Sequence, residues 1–366
     1  MADRAPAKGA PSREPLTLAS ALRMGIAMVL GALGALGFYI ADLPLPWFLG
    51  ALTLTLVLSV AGFTITPPRP LGKTVRAILG VAIGTAFTPA LLDRLAPMAL
   101  SLLILVPYVI AIMACGMFYF RRFAGYDRPT AFFAAVPGGL TDMILMAQDV
   151  GAHVRTVTLI QATRIVMIVF LLPFWLQWHD GFEIAGRAGS SLHLVDLPAI
   201  DGVVMIAMGV FGAWAAGRLG LAGAAIVGPM IVSGVAHAAG LTTAQMPVEV
   251  LVFAQITLGV LLGVRFRGLT WQEFRATMAW GLAFSVALLG LTLALVSVLA
   301  PLTGFDAVSL LLGYAPGGQG ELNLVAYIVG ADVAFVALHH LVRVALVLFA
   351  AQVVIGLRFK RNLDDG

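Results

Sequence analysis

The sequence predicts an all-α, polytopic membrane fold of two inverted repeats. Three observations lead there: apolar runs of bilayer length, one numerical offset relating the two halves, and the spacing of basic clusters between the runs. Of the 366 residues, 60% are hydrophobic and 11% are charged, whereas soluble domains carry about 25% charged residues. Apolar stretches of about 20 residues recur, each long enough to cross about 30 Å of hydrocarbon as a helix. The 40 glycines and 19 prolines permit close helix packing and locally broken helices in a membrane.

The formal charge of +4 is small, and its basic residues lie in short clusters between apolar runs. That pattern speaks for membrane topology and against a nucleic-acid partner. The single cysteine, Cys115, excludes an intramolecular disulfide and a cysteine zinc site. The first run, Thr17 to Ala41, is too long for a signal-peptide core and lacks a small-residue cleavage site. It is expected to be a retained helix behind a disordered cytoplasmic tail, residues 1–16.

The internal repeat is the most specific signal. The stretch from Pro137-Gly138-Gly139 aligns without a gap on the one from Pro316-Gly317-Gly318 at an offset of 179, with 12 of 28 positions identical. Asp142 falls opposite Glu321, and Arg164 opposite Arg343. Upstream, Leu79-Gly80-Val81, Gly84 and Phe87 match Leu258-Gly259-Val260, Gly263 and Phe266 at the same offset. The halves are therefore 17–178 and 199–357, joined by a polar linker at 179–198 and followed by a cytoplasmic tail at 358–366. The recurrent Gly-x-x-x-Gly spacing at Gly80/Gly84 and Gly259/Gly263 reads as a close-packing face.

Each half holds six apolar elements: 17–41, 44–62, 72–92, 97–120, 129–150 and 154–178, then 199–219, 221–240, 250–267, 276–301, 307–330 and 332–357. The positive-inside rule places inside the N-terminus (Arg4, Lys8, Arg13), Arg69/Lys73/Arg76, Arg121/Arg122/Arg128, Arg265/Arg267/Arg275 and the C-terminus (Arg358, Lys360, Arg361). All five clusters share one face only when the fifth element of each half enters and leaves by the same side. Five crossings per half is an odd number, so the halves are inverted. The expectation is about ten transmembrane helices and two re-entrant elements, with both termini cytoplasmic in a bacterial inner membrane. Pro-Gly-Gly supplies the breaks: proline removes a donor and the glycines allow a sharp turn. The other reading of this element is a kinked helix that crosses.

Past each turn a helix restarts, with Thr141 and Asp142 in its first turn in one half and Gln319, Glu321 and Asn323 in the other. Helix N-termini attract anions. Each carboxylate either caps its own helix or binds Na⁺ or a proton coupled to substrate movement, with Thr141, Gln319 and Asn323 as neutral donors beside it. Arg164 and Arg343 stand about three turns into apolar helices and need an anion: a structural ion pair with Asp142 or Glu321, or a substrate carboxylate held by the planar fork. His340 shares a face with Arg343 and stands where the first half has Gln161. It reads as a proton relay or as a hydrogen-bonded buried histidine. A metal site is poorly supported.

These residues resemble the AbrB-like family of bacterial integral membrane proteins, defined by a duplicated domain. The resemblance rests on Val136-Pro137-Gly138-Gly139-Leu140-Thr141-Asp142-Met143, Ala315-Pro316-Gly317-Gly318-Gln319-Gly320-Glu321-Leu322, the Val-Gly-Ala steps and the His340–Arg343 end. Glu321-Leu322 departs from the family's acidic-Met pattern. Family members carry labels such as ammonia monooxygenase or regulator of gene expression. Nothing here matches the catalytic label, since no copper ligand set is present, and no enzyme is expected. The expected function is a secondary transporter of a small organic anion working by alternating access, without a cofactor, coupled to Na⁺ or H⁺. The alternative is a membrane sensor that acts on gene expression indirectly. The expected partners are the bilayer and a small anionic ligand, with a homo-oligomer left open.

Overall fold

A computed structural model describes residues 17–138, 140–179, 190–267 and 271–364. The tail 1–16 and half of the polar linker, residues 180–189, lie outside the described residues. Among the described residues fourteen α-helices form and no strand. The first half contains α1 (Leu18–Ile40), α2 (Ala51–Val60, extended backwards by a π turn, Pro46–Gly50), α3 (Leu71–Gly84), α4 (Leu91–Arg122), α5 (Arg128–Ala135), α6 (Leu140–Asp149) and α7 (Val154–His179). The second contains α8 (Ala199–Arg218), α9 (Ala224–Ala238), α10 (Val248–Gly263), α11 (Trp271–Thr303), α12 (Ala307–Tyr314), α13 (Gln319–Val329) and α14 (Val333–Asp364).

Seven of these are long and apolar enough to cross a membrane: α1, α4, α7, α8, α10 with its extension to Phe266, α11 and α14. Pro46–Val60 and α9 are apolar but shorter, and α3 has 14 residues. The outer surface is apolar, with Leu22, Ile26, Val29 and Leu33 on α1 and Val203, Ile206, Val210 and Phe211 on α8 exposed. Such a belt is stable against lipid and not against water.

The two halves pack reciprocally. Gly80 of α3 lies so close to α9 that a Cβ would stand 2.4 Å from the carbonyl oxygen of Ile226, and Gly84 abuts Ser233. In the other half, a Cβ on Gly259 of α10 would stand 2.5 Å from the carbonyl oxygen of Phe48, and Gly263 abuts Thr55. The same reciprocity joins α1 to α2 and α8 to α9. A Cβ on Gly50 would meet the Gly34 carbonyl oxygen at 2.3 Å, and one on Gly228 would meet that of Gly212 at 2.0 Å. Small residues let these backbones touch. The start of α3 stands beside the end of α10, where Gly72 faces Leu261 and a basic recess joins Arg69 and Arg76 to Arg265 and Arg267. These repeat-related helices therefore run in opposite directions.

The contacts divide the helices into two bundles. One comprises α1, Pro46–Val60, α3, α8, α9 and α10; the other comprises α4 to α7 and α11 to α14. Each draws equally on both halves. They meet chiefly where α13 and α14 reach α3 and where α7 reaches Val264–Phe266.

The fifth element of each half is split. α5 and α12 have 8 residues each, a rise of about 12 Å. The Pro-Gly-Gly region separates them from α6 and α13, and the chain then returns. The His153 N–H donates to Thr130 Oγ1 at 2.9 Å, and the Asp332 N–H donates to Ser309 Oγ at 2.8 Å. A continuous helix would hold these pairs more than about 30 Å apart.

Two outcomes follow from this packing. Gly228→Ala is expected to lower thermal stability by about 1–3 kcal/mol through overpacking, while Gly217→Ala, with open space around it, is expected to be silent in detergent unfolding. The linker end is tethered where His193 Nδ1 pairs with Glu249 Oε1 at 2.8 Å and the Leu194 N–H donates to Glu249 Oε2 at 2.9 Å. The hydrogen bond and charge of Glu249 raise the His193 pKa. A raised folded value means that the tether's contribution is full below the ordinary histidine value and is lost as pH rises through the raised one. Hydrogen-exchange protection of the Leu194 amide, corrected for intrinsic rate, is expected to fall over that rise and to lose this dependence in Glu249→Gln.

Candidate ligand site between the two turns

Breaking α5 and α12 in mid-fold leaves the last carbonyls of each helix without intrahelical donors. The following long helix supplies them. On α7, Gln161 Nε2 donates to the Phe133 carbonyl at 2.7 Å, and Arg164 donates to Ala135 at 3.3 Å and to Val136 at 3.2 Å. On α14, His340 Nε2 bonds the Leu312 carbonyl at 2.9 Å, and Arg343 donates to Ala315 and, at 3.0 Å, to Gly317. Gln161 and His340 thus do one job at equivalent positions. All four side chains are fully or almost fully buried. The described hydrogen bonds of both guanidinium groups go to main-chain oxygens rather than to carboxylates.

Between the turns lies a cavity of about 370 Å³. One wall comes from the second bundle, with Pro137, Gly138, Gly317, Gly318, Gln319, Glu321 and Arg343. The other comes from the first bundle, with Lys73 and Arg76 of α3, the Gly223–Ile226 start of α9, and Arg265. Lys73, Arg76, Arg265 and Arg343 face one described carboxylate, Glu321. That carboxylate folds back over Gly318, the residue before its own helix. Arg343 Nε and Gln319 Nε2 have no hydrogen-bond partner among the described residues. Asn323 is fully buried with both side-chain polar atoms unpartnered among the described residues, and it stands outside the cavity lining. Pro316 lies in the turn before Gly317. Gly139 and the side chains of Thr141 and Asp142 lie outside the described residues.

In the first half a buried leucine stands at the matching helix start. Offsets of 178 place Leu45-Pro46-Trp47 where the second half has Gly223-Ala224-Ala225. Leu45 and Gly223 both cap their helices in the left-handed region, at φ 49° and 64°. Glycine takes that conformation freely, whereas Leu45 takes it with its side chain fully buried.

A family model described as "Transition state regulatory protein AbrB" matches residues 47–358. The chain belongs to the AbrB family. It is similar to "Putative regulator AbrB" of Escherichia coli (strain K12), with 25% identity over 324 residues that cover 86% of this chain and 90% of that relative. It is also similar to "Uncharacterized protein YhjN" of Bacillus subtilis (strain 168), with 25% identity over 284 residues, 74% of each chain. The match to the family spans both Pro-Gly-Gly turns and every cavity-lining residue of this AbrB-family chain.

Sequence reasoning used Lys73, Arg76 and Arg265 only as markers of a face, and their convergence needs α3 and α10 to run in opposite directions. It also missed a buried chain tying α4 to α12 and α14. There Ser101 Oγ lies 2.8 Å from His339 Nε2 and 3.1 Å from the Tyr314 hydroxyl, and His339 Nδ1 lies 2.8 Å from the Phe335 carbonyl. The carbonyl can only accept, so Nδ1 carries the proton and Nε2 accepts from Ser101. No group of three or more His, Cys, Asp or Glu side chains suited to a metal occurs among the described residues.

The equivalence of Gln161 and His340 can be tested by exchange. His340→Gln is expected to keep most of the thermal stability, because the amide can reach the same carbonyl. His340→Leu is expected to lose about 1–3 kcal/mol by leaving that carbonyl unmet, read by thermal unfolding of the purified protein.

Proposed function

We propose that this AbrB-family chain is a secondary transporter that moves a small organic anion by alternating access, with Na⁺ or H⁺ as the coupling ion. The observation that carries the reading is the cavity itself. It lies where two bundles of mixed parentage meet, is walled by both broken helices, and presents four cations against one described carboxylate. Mobile bundles on either side of a midplane site are what alternating access requires. The opposed directions of α3 and α10 support inverted halves. The closed hydrogen bonds at His153 and Asp332 support re-entrant elements. On this reading Pro46–Val60, α3 and α9 cross together with the seven long helices, ten crossings that would leave the basic clusters and both termini on the cytoplasmic side of an inner membrane.

Glu321 is the group assigned to the coupling ion, since neutralising it by a proton or Na⁺ strengthens the cavity's pull on an anion. No chemical step is assigned to the chain. The names of the family and of one relative favour a second reading, a membrane regulator whose site binds the same ligand without moving it.

Counterflow in proteoliposomes loaded with small carboxylates separates the two. Transport is expected to accelerate with Na⁺ or at low pH. Glu321→Gln is expected to keep ligand binding and lose that acceleration. Ligand binding with no counterflow of any anion sinks the transporter and leaves the regulator.

A further inference from the structure

We infer that the cavity takes a small anion bearing at least two negative charges, a di- or tricarboxylate or a phosphate ester, and captures it from the basic face alone. The inference rests on the reading of this cavity as the ligand site.

The charge count comes first. Among the described residues the lining holds Lys73, Arg76, Arg265 and Arg343 against Glu321. With Glu321 in place, a single carboxylate would leave two of these four cations unmatched, and one of the four, Arg343, is buried where an unmatched charge is costly. The starts of α9 and α13, helices of 15 and 11 residues, both line the cavity and add their positive ends. Arg343 Nε and Gln319 Nε2 add buried donors without an acceptor. Both buried polar atoms left unpartnered in the described lining are thus donors, which suits a ligand with several anionic oxygens.

The one-sidedness comes from the repeat. Arg76 and Arg265 line both the cavity and a wider recess of about 610 Å³ beside it, where Arg69 and Arg267 add two more guanidinium groups. A basic recess leading to a basic cavity raises the local anion concentration and the rate of entry. At the offset of 179, Lys73, Arg76, Arg265 and Arg267 correspond to Val252, Gln255, Ala86 and Thr88. The opposite face therefore has the same helices without the charges, and Leu45-Pro46-Trp47 stands where Gly223-Ala224-Ala225 opens the cavity. Positive-inside insertion makes the charged recess cytoplasmic, so the anion is collected from the cell interior.

The test uses the full chain in nanodiscs, titrated calorimetrically with acetate, succinate, citrate and inorganic phosphate. Affinity is expected to rise about tenfold for each added charge and to weaken with salt. Arg76→Gln and Arg265→Gln are each expected to weaken citrate about tenfold while leaving unliganded thermal unfolding in place. Arg267→Gln, which stands outside the cavity, is expected to slow association at low salt and leave equilibrium affinity at high salt unchanged. Equal affinity for acetate and citrate overturns the inference, as does wild-type citrate binding by both cavity variants. A monoanion that binds tightly and is moved into vesicles overturns it while leaving the transporter reading standing. Citrate binding without movement upholds it and removes the transporter reading alone.

Discussion

Main-chain carbonyls that end a helix in the buried interior of a fold need donors from elsewhere in the chain, and the second bundle is built around meeting that demand. Arg164 and Arg343 bind the carbonyls at the ends of α5 and α12, with Gln161 and His340 reaching one turn further back. Arginine suits the place because its rigid fork offers several donors in one plane, while lysine offers a single flexible point charge. The cost of burying the guanidinium is offset by carbonyl dipoles, and each turn is thereby held open and ordered. The cavity exists because these turns are held by the helices behind them and not by each other.

Symmetry explains how the helices interlock, and its breach explains where the cavity opens. The interlocking glycines of α1, α2, α8 and α9 obey the repeat almost residue for residue, as do Gly80/Gly84 and Gly259/Gly263. At the helix starts facing the turns it fails: Gly223 lines the cavity in one half, and a buried leucine, Leu45, stands at that place in the other. A left-handed leucine costs about 1–2 kcal/mol, and burial of its side chain offsets that cost by a similar amount.

Much of this was legible beforehand. The Pro-Gly-Gly turns, the all-helical membrane character and the close-packing glycines follow from periodicity, composition and one offset. The partners of Arg164 and Arg343 were not, because a free carbonyl has no letter in a sequence and a carboxylate does. Lys73, Arg76 and Arg265 looked like loop charges, since their meeting depends on chain direction and not on spacing. The matches Gly34/Gly212 and Gly50/Gly228 escaped notice because the offset there is 178 and the intervening residues have diverged. The two bundles were invisible for a related reason: they are set by which faces touch, while sequence order records only the halves.

That division has a bearing on how the chain is made. Neither bundle can be completed from the first half alone, since α3 waits for α9, α2 for α10, and α7 for α11. A ribosome that has delivered residues 17–178 has placed helices in the bilayer whose small-residue faces meet only lipid. Assembly must therefore await insertion of α8 to α14, and its decisive contacts span well over a hundred residues of sequence, the kind that form slowly. The insertion machinery has to hold an unfinished half in place, and errors in the orientation of a late helix would spoil both bundles at once.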